Sequence, residues 1–195
     1  AIDEQEIDKV YYPFGKRKYQ VPATKNVKKA LSKKQLKLLF DSKPETKEQQ
    51  KAKDFWFFSF ACNGMNIKDI VLLKYEDIQD GKIIFYRAKT RNTSKGNLKP
   101  VTAYLNEYTT GVIERYGNTN KSQQSHVFSI ITKGLPPQET QARIKNFTRF
   151  INQHLKKLCK DLKLPDGIST YWARHSFTTN AIRNGATMEF LQESL

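Results

Sequence analysis

The sequence predicts a mainly α-helical α+β domain with a small three-stranded antiparallel sheet set among its helices. Three observations carry that expectation. Residues 140–162 place Ile144, Phe147, Phe150, Ile151, Leu155 and Leu158 at helical spacing, which describes a long helix with one apolar face. Residues 54–61 contain Phe55, Trp56, Phe57, Phe58 and Phe60, apolar on every side, which describes a short buried helix broken at Asn63-Gly64. Asp80-Gly81 stands between two short apolar segments, and that dipeptide favours a two-residue hairpin turn.

The remaining elements follow in chain order. Residues 1–28 hold Pro13, Gly15, Pro22 and the run Lys16-Arg17-Lys18, with Val10, Tyr11, Tyr12 and Phe14 between, and read as a linker with extended character. A helix starts at Ser32, where Ser-Lys-Lys-Gln has the form of a capping box and Leu36, Leu38, Leu39 and Phe40 supply its apolar face. Residues 43–53 are polar and charged, with Pro44 closing one helix or opening the next. Met65, Ile67, Ile70, Val71 and Leu73 describe a short helix after the Asn63-Gly64 break. Strands are expected over 75–78, 82–86 and 101–105, and further helices over 106–116, 140–162 and 169–184. No internal repeat or low-complexity segment is visible.

A chain of 195 residues accommodates one well-buried domain with an extension. Its 34 Lys and Arg against 19 Asp and Glu leave a formal charge of +15, so an anionic polymer is the leading partner, with nucleic acid ahead of a membrane. No apolar run is long enough to span a bilayer, and residues 1–9 are acidic rather than a basic export signal. Cys62 and Cys159 lie inside apolar patterns without a CxxC or a Cys/His cluster. That usage favours reduced core thiols in a cytoplasmic protein over a disulfide or a metal site.

Two segments can carry chemistry. Residues 86–99 contain Arg87, Lys89, Arg91, Lys95 and Lys99 and no carboxylate. Such cations on a hairpin can lie along a phosphate backbone, although a charge-protected edge strand has the same composition. Further on, Tyr171-Trp172-Ala173-Arg174-His175-Ser176-Phe177 puts a guanidinium beside an imidazole near the start of a helix. The guanidinium can bridge two phosphate oxygens while the imidazole donates to a third or moves a proton, and the alternative is a buried pair tying helix ends together. His126 and His154 read as structural, and Trp56 as core.

The order of these pieces resembles the catalytic domain of the tyrosine recombinase (phage integrase) family, closest to the branch carried by conjugative transposons and related mobile elements. The likeness rests on residues 64–70 (Gly-Met-Asn-Ile-Lys-Asp-Ile), Leu-Lys-Tyr-Glu-Asp-Ile leading into a hairpin, Lys89-Thr90, Ala-Arg-His-Ser-Phe-Thr-Thr, and the downstream Asn184-Gly185-Ala186. It divides the chain into a linker, 1–28, leading from a core-binding domain, and a catalytic domain, 29–195. It implies a mechanism in which a tyrosine hydroxyl attacks a DNA phosphate, leaving a 3′-phosphotyrosyl bond and a 5′-hydroxyl, with no metal or other cofactor. Double-stranded attachment sites are the implied partner, bound by a homotetramer of the whole protein, with this piece alone a monomer.

By the same resemblance, Arg174 matches the second family arginine and clamps the non-bridging oxygens. Lys89 matches the hairpin lysine that protonates the departing 5′-oxygen, His175 is a structural or supporting donor, and Asp69 an acidic residue beside the arginine. Arg87, Arg91, Lys95 and Lys99 are the candidate DNA-binding cations. Three positions depart from the pattern. Asn66 stands where the first family arginine is expected, which weakens charge stabilisation unless Lys68, Arg87 or Arg91 contributes. Tyr171 replaces a histidine and is a poor proton shuttle near neutral pH; packing beside Trp172 is its alternative role. None of the 9 tyrosines follows Arg174, so the nucleophile is expected beyond Leu195. A non-catalytic DNA-binding protein of the same fold is the competing expectation; an RNA-binding module is disfavoured, since no aromatic RNP pair or GXXG loop is present.

Overall fold

The computed structural model describes residues 29–88 and 99–194, together with Asp8, Tyr11, Tyr12, Tyr19 and Gln20. Lys89, Arg91, Lys95 and Leu195, and nearly all of the expected linker, lie outside the described residues. Among those described, seven α-helices and a three-stranded antiparallel sheet form, in the order α1, α2, α3, β1, β2, β3, α4, α5, α6, α7.

The first helix, α1 (Lys33–Asp41), carries the expected capping box, with Gln35 N donating to Ser32 Oγ and Ser32 N donating to Gln35 Oε1. Its apolar face is narrower than expected. Leu39 is buried and Leu36 packs against the core, whereas Leu38 and Phe40 flank Leu39 around the helix and stay half-exposed. Helix α2 (Lys47–Ala61) starts well before the apolar run, on a second capping box between Thr46 and Gln49. The polar stretch therefore supplies its first two turns, because Lys53 turns inward. Its ammonium donates to the carbonyls of Phe40 and Ser42 at 2.9 and 2.6 Å, satisfying acceptors where α1 ends. Burial pulls that ammonium below the ordinary lysine pKa.

Asp54, 1% exposed, is a second buried charge in α2. It accepts from Gln50 Nε2, Tyr108 OH, Tyr116 OH and Arg115 NH1, the last at 2.6 Å, and this shell ties α2 to α4 (Glu107–Tyr116). Desolvation and the adjoining carboxylate push the Tyr116 hydroxyl up to about 12.

After the Asn63-Gly64 turn comes α3 (Ile67–Leu72), as expected. The strand expected over 75–78 is instead a 3-10 turn, Tyr75–Asp77, leaving β1 only Ile78–Gln79. Asp77 accepts from Lys74 N, while Tyr75 N and Glu76 N bond to the carbonyls of Ser125 and Gln123, so the backbone finds partners outside the sheet. Asp80 and Gly81, both at positive φ, make the expected hairpin to β2 (Lys82–Phe85). Strand β3 (Val101–Tyr104) pairs with β2 from Phe85↔Val101 to Lys82↔Tyr104, which turns Ile83, Phe85, Val101 and Ala103 toward the core.

Helix α5 (Pro137–Asp161) opens with Pro137 in its first turn, three residues earlier than expected, since a proline there gives up no helical hydrogen bond. Helix α6 (Thr170–Arg183) matches its expected span, and α7 (Met188–Ser194), which the sequence reading did not anticipate, packs on β3. Helix α2 lies at the centre, against α4, α5 and α6. The Phe55 ring meets Phe128 and Phe147 at 4.8 and 4.9 Å, and Trp56 Nε1 donates to the Ser169 carbonyl at the head of α6. The central helix thus sets where α6 begins.

Candidate active site

Helix α6 meets the turn after α2 through a contact that only glycine allows. Gly64 has φ +69, and a Cβ placed on it would stand 2.7 Å from Arg174 Cα. Its carbonyl accepts from Arg174 Nε at 2.9 Å. The turn is pinned from behind, as Ser59 Oγ donates to the Met65 carbonyl at 2.6 Å and Met65 N bonds to the carbonyls of Ser59 and Cys62. The guanidinium therefore leaves α6 in one direction, held by the backbone of another element.

A third element joins there. Asp69 of α3, 6% exposed, accepts from Ala88 N at 2.9 Å and fixes the chain just beyond β2. Burial raises the Asp69 carboxyl above its ordinary range, against the Ala88 hydrogen bond and the positive charges of Arg87 and Arg174. Arg174 is shifted the other way, lowered by burial first and by the like charge of Arg87 second. Asp69 thus lies under the positive charge of both Arg87 and Arg174, and the excess positive charge in this partly desolvated recess favours an anion.

Tyr171 and His175 lie one turn apart on α6, with ring centroids 4.5 Å apart and planes at 88°. Tyr171 is 53% exposed, so it does not pack away beside Trp172. His175 is held below the ordinary imidazole pKa by burial, then by the charges of Lys29 and Arg174. A neutral ring in that setting takes up a proton more readily once an anion neutralises Arg174. Asn66 precedes α3 without capping it, and lines a cleft of about 360 Å³ with Lys68, Asp69, Thr148 and Thr170. A larger recess of about 500 Å³ between α3 and the hairpin shares Asp69 and Ala88 with the site and is lined by Phe85 and Tyr86, but not by Arg174.

The sequence-predicted residues are thus partly gathered. Arg174, Arg87 and Asp69 converge, with Tyr171, His175 and Asn66 on the same elements. Arg87, expected as a DNA-contacting cation, stands within the arginine cluster. Lys99 is exposed at the foot of β3, with its Nζ 3.7 Å from Glu193 Oε1 of α7. Lys89 follows Ala88 directly but falls outside the described residues. His126 is half-buried where it bridges Lys74, and His154 lies against Phe150 in α5, in keeping with structural roles. Cys62 and Cys159 are buried thiols, each pushed up to about 12 by desolvation. Among the described residues, no helix is long and apolar enough to cross a membrane.

A domain whose described residues form seven helices and a short three-stranded antiparallel sheet has the architecture of an integrase-type catalytic domain. The chain belongs to the Phage integrase family, whose model matches residues 29–195. No curated protein matches the sequence. Among solved structures, it is similar to the Tn1549 transposon integrase in complex with circular intermediate DNA, with TM-score 0.58 and 14% identity over 89% of this chain and 59% of that one. Similar too are XerA recombinase, at TM-score 0.57 and 18% identity over 91% and 57%, and XerH site-specific recombinase bound to its difH substrate, at 0.57 and 16% over 100% and 53%. The chain therefore spans somewhat more than half the length of these proteins.

Proposed function

We propose that this chain is the catalytic domain of a site-specific DNA recombinase that cuts and rejoins strands through a 3′-phosphotyrosine, joined through residues 1–28 to a preceding core-binding domain. The observation that carries the reading is that the Gly64 carbonyl holds Arg174 Nε while Asp69, under the positive charges of Arg87 and Arg174, anchors Ala88 N at the end of the hairpin. Arg174 holds the non-bridging oxygens of one phosphodiester, and Arg87 supplies charge that Asn66 does not. The hydroxyl oxygen of a tyrosine from beyond Leu195 forms the new bond to phosphorus and gives up its proton to solvent as the bond to the 5′-oxygen breaks, and the departing 5′-oxygen takes a proton from the Lys89 ammonium. Tyr171 and His175 donate hydrogen bonds to the same phosphate. Arg174, Arg87 and Lys89 stabilise the pentavalent transition state by their positive charge. Double-stranded DNA is the partner, and the whole protein acts as a tetramer.

The test uses the protein extended through its downstream coding sequence, on a nicked attachment-site duplex. The covalent complex forms with the unaltered protein, and Arg174→Ala reduces its formation by about 100-fold or more while much of the salt-sensitive binding persists. Covalent trapping untouched by Arg174→Ala overturns the assignment. Binding without any covalent product from the unaltered protein supports the non-catalytic alternative.

A further inference from the structure

Helix α6 buries two polar side chains, Ser176 and Asn180, on the side opposite Arg174. Residues 29–31, which precede α1, have no regular secondary structure, so their backbone groups need partners from elsewhere. Both polar side chains answer that need. Leu31 N donates to Ser176 Oγ at 2.9 Å, and Asn180 Nδ2 donates to the Leu31 carbonyl at 3.4 Å and to the Ser176 carbonyl at 2.7 Å. Leu31 itself is fully buried in the core. A strap of chain is thereby pinned along α6, one residue on from His175.

We propose that Ser176 and Asn180 are positioning residues that clamp residues 29–31 to α6, so that the strap carrying Lys29 is held against the helix that bears His175 and its course is coupled to the phosphate-binding end of this helix. Tyr171 packs its ring against His175, and the positive charges of Arg174 on the same helix and of Lys29 on the strap act on it. Burial and both cations hold the imidazole toward its neutral form, and Lys29 ranks ahead of Arg174 in that effect. Any displacement of the strap withdraws one of the two charges and changes the proton affinity of His175. The bearing of this on phosphodiester chemistry rests on the function proposed above; the clamp does not.

The test follows the His175 imidazole by NMR against pH in this chain, without DNA, so that its outcome is independent of recombinase activity. Lys29→Gln, at an exposed side chain, shifts the His175 midpoint upward. Ser176→Ala shifts it in the same direction, and adding Lys29→Gln to Ser176→Ala shifts it no further, while His126 and His154 titrate unchanged. A folded Ser176→Ala chain with an unaltered His175 midpoint overturns the proposal, as do shifts that add in full. If Ser176→Ala does not fold, Asn180→Ala is judged by the same criterion.

Discussion

Arg174 Nε donates to the Gly64 carbonyl at 2.9 Å, while the Arg174 backbone occupies the space that any side chain at position 64 would need. Gly64→Ala combines a left-handed φ with an overlap against backbone, and a loss of about 3 kcal/mol is expected from urea denaturation. Asparagine tolerates that φ but still carries a Cβ. Gly64→Asn therefore remains nearly as destabilising as Gly64→Ala; full stability in Gly64→Asn would show that backbone conformation, not the approach of α6, demands the glycine.

The Asp54 carboxylate is the shared acceptor of two tyrosine hydroxyls, an amide and a guanidinium. Asp54→Ala leaves those donors without their acceptor in a buried setting and should cost about 3 kcal/mol. Tyr108→Phe removes one donor only and should cost about 1 kcal/mol. Equal losses for the two variants would contradict the central place given to Asp54.

Stability should fall on mild acidification. His175 and His126 both have folded pKa values below the unfolded value of about 6.5, through burial first and then nearby lysines. Below that pH the unfolded chain binds protons the native state refuses, so stability is full above about pH 6.5 and declines as pH drops toward the folded values. Asp69 acts with opposite sign and lower, since its raised carboxyl keeps a proton that the unfolded chain releases near pH 4. Thermal melts of His126→Gln/His175→Gln should show a flatter slope just below pH 6.5 than the unaltered chain.

Binding of double-stranded DNA should weaken steeply with salt, in line with a formal charge of +15. Neutralising Lys89, Arg91 and Lys95 together should lower the log–log slope by as much as about 2.7, each phosphate contact contributing about 0.9. An unchanged slope in anisotropy titrations would place this segment away from the duplex.

Much of this was legible in the residues. The capping box at Ser32, the Asp80-Gly81 hairpin, the apolar stripe of α5 and the span of α6 are local patterns, set by neighbours within a few positions, and they appear where the sequence places them. The early start of α2 was hidden because its first turns are polar, and their inward turn is explained only by the α1 carbonyls that Lys53 reaches. The strand expected over 75–78 failed for a similar reason, since a distant loop offered the backbone better partners.

The sequence by itself determined most of the helices, the Asp80-Gly81 hairpin, the basic character and the Arg174-His175 pair, because composition and periodicity are properties of the chain. Only the tertiary structure decided that the charges of Arg87 and Arg174 act on the buried Asp69 carboxyl, that Gly64 must lack a side chain, and that Ser176 and Asn180 hold residues 29–31. Each of those relations joins residues far apart in sequence. Their energies come from burial and close approach, which exist only once helices pack and water is excluded between them.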